Sequence, residues 1–196
     1  MNRLILFAPM LVFGLGGLYF LHLFLQPGSS GPVHDNLVPE LIGFCLEGFF
    51  LIGLFSLIQR RRERERRYEL RQSLRGALRE ILSYLDIGLL EEDSEPADSK
   101  ALEEDPKIVR ALFVKLAEKP LDLHAMARVK EVAARNLTTV HDLIPVAAQL
   151  SANHMRWWLA ISDSVRHLTE ATDSAAVRLA TQQFLAKLGE FDELEL

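Results

Sequence analysis

LIGFCLEGFFLIGLFSLIQRRRERERR, Leu41 to Arg67, is the stretch that decides how this chain reads. Its first part, Leu41 to Ile58, is apolar apart from Cys45, Glu47 and Ser56. A helix rises 1.5 Å per residue, so a run of this length crosses a hydrocarbon core of roughly 30 Å with little tilt. Arg60, Arg61, Arg62, Arg64, Arg66 and Arg67 follow at once. Arginines beside a span are retained on the cytoplasmic side and are attracted by anionic lipid head groups. Glu63 and Glu65 are interleaved among them, which fits a determinant of orientation better than a dedicated head-group site.

Working outward towards the N-terminus, Gln26 to Glu40, QPGSSGPVHDNLVPE, reads as a loop broken by Pro27, Gly28, Gly31, Pro32 and Pro39. It holds no Lys or Arg, and it is too short to fold as a sensory domain. Before it, Leu4 to Leu25 is almost wholly apolar and follows a basic start at Arg3. That run is longer than the apolar region of a cleaved signal peptide, and no small-x-small site precedes Gln26, so a retained first span is expected. The chain therefore reads as an all-α membrane protein. Its residues 1–59 form a two-helix transmembrane hairpin (helices 4–25 and 41–58, outer loop 26–40) in the plasma (inner) membrane. The N-terminus and everything after Arg60 lie in the cytoplasm.

Working outward in the other direction, residues 60–88 continue as a basic, amphipathic juxtamembrane helix. Leu70, Leu74, Ala77, Ile81 and Leu85 recur at steps of three and four and share one stripe. The other faces carry Glu65 with Glu69, and Arg71 with Arg75 and Arg79, and read as solvated. Gly76 weakens that helix by about 1 kcal/mol without ending it, and Gly88 is the expected stop. Residues 89–104, LLEEDSEPADSKALEE, lack apolar periodicity and read as a mobile acidic linker. A mobile linker would leave Leu70, Leu74, Ile81 and Leu85 uncovered, so this stripe is expected to contact a second copy in coiled-coil fashion.

Residues 105–196 read as a small cytoplasmic helical bundle. Asp105-Pro106 opens one helix, which Pro120 ends; Asp122 caps a second through Arg135; a third pattern runs from Thr138 towards Glu170, with Pro145 either kinking it or beginning its main part. Thr172 or Asp173 caps a last one through Gly189. No segment alternates with period two, so strands are not expected.

Charge and motifs narrow the function. Arg60 to Asp86 is net +4, whereas Ile87 to Leu196 is net −7. An acidic distal part argues against nucleic acid as a partner. Cys45 is the one cysteine, so there is no disulfide framework. His124, His141, His154 and His167 are not spaced as metal ligands and read as surface or capping residues. No P-loop, GxGxxG, GxSxG or HExxH occurs, and no catalytic residue, metal or cofactor is expected.

Glu47 is the sharpest feature. It sits about 9 Å inside the outer edge of the second span. In the first span Tyr19 falls at the matching depth, with His22 one turn nearer the outside. Glu47, Tyr19 and His22 are therefore expected to form an intramembrane polar cluster. It would lie between a face of Ala8, Val12, Gly16 and Tyr19 and a face of Gly43, Glu47, Phe50 and Leu54. The function expected from these features is a non-enzymatic membrane anchor or regulatory subunit presenting a helical domain to a protein partner. The alternative is an oligomeric pore or membrane-disrupting effector with Glu47 turned inward in a ring of copies.

Overall fold

The computed structural model describes residues 3–26, 31, 36–90 and 94–195, and the regular structure among them is helical throughout. The chain divides into two units, residues 1–65 and 66–196.

The first unit holds α1 (Arg3–Phe24) and the first half of α2 (Val38–Gly88), a single 51-residue helix. α2 is long and apolar enough to cross a membrane, and α1 is apolar over Ala8–Phe24. α2 begins three residues earlier than the apolar pattern suggests. Pro39 falls in its first turn, where the missing N–H removes no helical hydrogen bond. The two helices meet along a seam of small residues. Phe13 lies directly on Gly48, where a side chain would have no room, and its ring is 5.7 Å from that of Phe44. Gly16 and Gly17 face Cys45, Gly14 faces Phe49 and Met10 faces Gly53, so the pairings run in opposite directions along the two helices. Glycine lets helix backbones approach closely, which is where packing without a hydrophobic driving force gains most.

The second unit is built around the last part of α2. Leu74, Leu78, Ile81, Leu82 and Leu85 are fully buried there, in one cluster with Trp158, Phe184 and Phe191. The other helices are α3 (Ser99–Glu104), α4 (Pro106–Glu118), α5 (Leu123–Asp142), α6 (Ile144–Leu150), α7 (Ala152–Glu170) and α8 (Ser174–Asp192). α7 packs on α5, α6 and α8, and α4 packs on α8. Asp105, Asp122 and Asp173 each accept a backbone N–H at a helix start, from Lys107, Ala125 and Ala176. Caps of this kind contribute about 1 kcal/mol apiece.

Three expectations need correction. The segment 138–170 is not one kinked helix. α5 continues to Asp142, Pro145 opens the short α6, and Ser151 caps α7 by accepting from the His154 N–H at 3.2 Å. The stretch 89–104 is held on the domain wherever it is described. Leu89 and Leu102 are buried, the Ala97 N–H donates to Asp86 Oδ2 at 2.7 Å, and residues 99–104 are helical. Its acidic composition conceals apolar anchors at Leu89 and Leu102, each 1% exposed. With that stretch folded back, the stripe is covered by the chain itself: Leu74, Ile81 and Leu85 are fully buried and Leu70 is packed against the core. It is no free face for a second copy. Gly88 is the last residue of α2, and the surroundings explain the glycine there: a Cβ would stand 2.8 Å from Leu121 Cδ2 and 2.9 Å from Ala125 Cβ.

Candidate functional site

The polar cluster expected in the first unit does not assemble. The face of α2 that meets α1 carries Cys45 and Gly48. Glu47 follows Cys45 by two residues, which turns it roughly 200° round the helix and onto the opposite side. Glu47, Tyr19 and His22 are all exposed, Tyr19 by 61%, and no hydrogen bond joins them among the described residues. The physical reason lies in the seam. The expected faces ran through Val12 and Tyr19 on α1, but Phe13 stacked on Gly48 brings the helices closer than that side allows. Glu47 instead lies on an uncovered face with Gly43, Phe50, Leu51 and Leu54. Phe50 is 68% and Leu54 58% exposed, and nothing lies within 4 Å of a Cβ placed at Gly43. An ionised carboxyl left against acyl chains at mid-bilayer costs about 2.5–3.5 kcal/mol on insertion scales, and such groups are normally turned towards protein or water.

A second polar site, which sequence reasoning missed, lies within the second unit. Arg75 was read as part of a solvated face, yet its side chain is only 3% exposed. Its guanidinium donates to Asp192 Oδ2, to Leu102 O at 2.7 Å, to Glu103 O at 3.0 Å and to Asp105 O at 3.4 Å. One side chain thereby joins α2, the α3–α4 junction and the end of α8. Arg71, one turn earlier, donates to the backbone oxygens of Asp192 and Leu194, the latter at 3.1 Å, so it closes the open carbonyls at the C-terminus of α8. Its guanidinium carbon is also 5.9 Å from the centre of the Phe191 ring. Burial pushes the Asp192 carboxyl above the usual range, and Arg75 and Arg71 pull it back. Burial likewise lowers Arg71, partly offset by Asp192. The clue in the sequence was that Arg71 and Arg75 each directly follow a stripe residue, Leu70 and Leu74, which puts them at the edge of the buried face.

His154 belongs to the same neighbourhood. It is buried rather than a surface histidine, edge-on to Phe191 with ring centres 5.4 Å apart, and its Nδ1 is 2.8 Å from Ser151 Oγ. Its buried Nε2 has no hydrogen-bond partner among the described residues. Burial first, then the charges of Arg71 and Arg67, hold its pKa below the ordinary histidine value. Trp158, beside Phe191 at 5.6 Å, donates from Nε1 to Val140 O at 2.8 Å.

The arginine cluster is exposed except at Arg67, which is half-buried. Arg61 pairs with Glu65 at 2.9 Å, and Arg66 donates to Gln149 Oε1 at 2.9 Å. A shallow groove of about 440 Å³ runs between α4 and α8, with Val109, Phe113 and Leu185 on its floor and Lys107, Arg110 and Glu193 at its rim. No group of three or more His, Cys, Asp or Glu that could hold a metal ion occurs among the described residues. No protein-family model matches the chain, and neither a curated protein nor a solved structure matches it.

Proposed function

We propose that the chain is a non-enzymatic membrane anchor or regulatory subunit that presents a helical domain to a protein partner at the cytoplasmic face of the inner membrane. One observation carries this reading. α2 is apolar and little buried over residues 41–58, yet supplies fully buried residues to the centre of the second unit over residues 74–85. A domain whose own core helix continues an apolar segment of spanning length needs no separate tether. The arginines at 60–67 stand between the two stretches, where they set orientation and meet anionic head groups. The absence of catalytic motifs from the sequence and the net negative charge of residues 87–196 agree with a role in protein interaction. The test is to fractionate cells expressing the full chain with a reporter fused after Leu196. The expected result is a chain that stays in the membrane through alkaline carbonate extraction, with a reporter that works only in the cytoplasm. Release by carbonate, or reporter activity outside the cytoplasm, would overturn the reading.

The pore remains the second reading, because Glu47 faces away from α1 as a ring of copies would require. Ion or proton flux through liposomes holding the purified chain, lost in Glu47→Gln, would favour it; no flux in either form is the result the anchor reading expects.

A further inference from the structure

We propose that the corner between α6 and α7 rests on the anionic head groups of the membrane that anchors the chain, so that the second unit stands on the bilayer by this end. The inference rests on the anchoring reading above and deepens it, by naming what the helical unit itself touches at the lipid surface.

The corner is tied to the first residues of its unit. Arg66 donates to Gln149 Oε1, near the end of α6, at 2.9 Å. His154, in the first turn of α7, and the Arg71 guanidinium both lie against the Phe191 ring, 5.4 and 5.9 Å from its centre. Ile58, the last residue of the apolar run, precedes Arg66 by eight residues of the same helix, which is about 12 Å. The head-group layer extends about 5–7 Å beyond the hydrocarbon on each side. A helical side chain also leans towards the start of its helix, so the arginine that holds the corner leans towards the lipid. The space left beneath the corner is then about 5–7 Å deep, whereas a single helix needs roughly 10 Å. Head groups fill such a space and a folded protein element does not.

The composition of the corner suits that occupant. Residues 143–162 include no Asp or Glu, the longest such run in a stretch, residues 87–196, that holds nineteen of them. Pro145, Ala148, Ala152 and Asn153 are exposed there, and Arg156 is exposed one turn further along α7. Arg62 precedes Arg66 by one turn on the same side of α2 and adds a second positive charge. At the neighbouring end of α8, Glu193 stands 3.7 Å from Arg110, and Arg71, which holds that end, is five residues further from the lipid than Arg66. Anionic head groups therefore attract this end of the unit and repel the acidic remainder, which turns the rest of the domain to the cytoplasm.

The experiment uses the full chain in lipid nanodiscs, in a Cys45→Ser background. A bimane fluorophore is attached to a cysteine at Ala152, in the corner, or at Leu123, which is 79% exposed and lies between the two residues that crowd Gly88 at the other end of the unit. The quencher is a lipid with a nitroxide on its head group, in phosphatidylcholine alone or mixed with phosphatidylglycerol. Quenching at position 152 is expected to be several-fold stronger than at 123 and to rise with phosphatidylglycerol. Arg156→Glu should remove that rise and Arg156→Lys should keep it, both with the unfolding midpoint of the parent. Equal quenching at 152 and 123 would overturn the proposal, as would quenching at 152 that is indifferent to phosphatidylglycerol or to Arg156→Glu. A photoreactive side chain at position 152 in native membranes is expected to capture lipid; capture of a protein in its place would also overturn it. Any of these failures in a chain that resists carbonate leaves the anchoring reading standing, whereas release by carbonate sinks both.

Discussion

Replacing Asp192 with alanine removes the carboxylate that, among the described residues, meets the buried guanidinium of Arg75. The Arg75 side chain is 3% exposed, so water cannot take over the lost contact. Breaking a buried pair by removing one partner costs about 3–5 kcal/mol, because a charge is left uncompensated. Three backbone oxygens, of Leu102, Glu103 and Asp105, remain on the guanidinium and spread part of that charge. The expected loss therefore lies at the lower end, about 3 kcal/mol. For a unit of this size it corresponds to a fall of roughly 10 °C in the unfolding midpoint. Asp192→Asn keeps an oxygen for Arg75 and should cost less, about 1–2 kcal/mol. The double variant Arg75→Met with Asp192→Leu has no stranded charge but takes the donor from the Leu102, Glu103 and Asp105 carbonyls, so it should recover only part of the stability of the parent. Tryptophan fluorescence during thermal unfolding is a direct assay. Both tryptophans, Trp157 and Trp158, lie on α7, and Trp158 touches Phe191 beside the ion pair. An Asp192→Ala midpoint within about 2 °C of the parent would mean that the pair is solvated and the geometry misread.

The remaining predictions concern the same unit. His154 has a folded pKa below its ordinary 6.5, so the unfolded chain takes up its proton first as pH falls. The stability it contributes is present above that value and is lost as pH drops through it towards the folded pKa. The fall in midpoint between pH 7 and pH 5.5 should be shallower in His154→Phe than in the parent, and equal slopes would refute the assignment. Gly88→Ala should destabilise by about 1–2 kcal/mol in chemical denaturation, since crowding against Leu121 and Ala125 outweighs the gain in helix propensity. A stabilised Gly88→Ala chain would show that α5 gives way freely. Leu102→Ala should cost about 2–4 kcal/mol and open residues 89–104 to limited proteolysis, whereas an unchanged cleavage pattern would mean that Leu102 does not anchor this stretch.

Local rules made the helices legible, and contacts between distant segments hid the rest. The apolar run after Leu41, the aspartates at 105, 122 and 173 and the stop at Gly88 all act within a turn or two of where they stand, so each could be read from its neighbours. Leu102 could not, because an isolated leucine in an acidic stretch has no period; its importance appears only in the fold, where its side chain is buried and its own carbonyl accepts from Arg75, 27 residues away. Arg75 itself looked solvated for the same reason: its main acceptor, Asp192, is 117 residues distant. The Glu47 reading failed differently. Neither the offset of two helices nor their rotation can be counted from sequence: Phe13 fitting onto Gly48, with Gly16 and Gly17 facing Cys45, puts Glu47 level with residues 14–16 rather than with Tyr19, and on the far side of α2. Ser151 was passed over because Pro145 had already been assigned the break in that region.

The measurement closest to the central claim is thiol accessibility in intact cells. In a Cys45→Ser background, one cysteine replaces Ser29, between the two apolar segments, and another replaces Ser94, beyond α2. A membrane-impermeant maleimide is added before or after lysis. The account predicts labelling at position 29 in intact cells and at position 94 only after lysis. Labelling at 94 in intact cells, or at neither position until lysis, would contradict a chain that crosses the membrane with its helical domain inside.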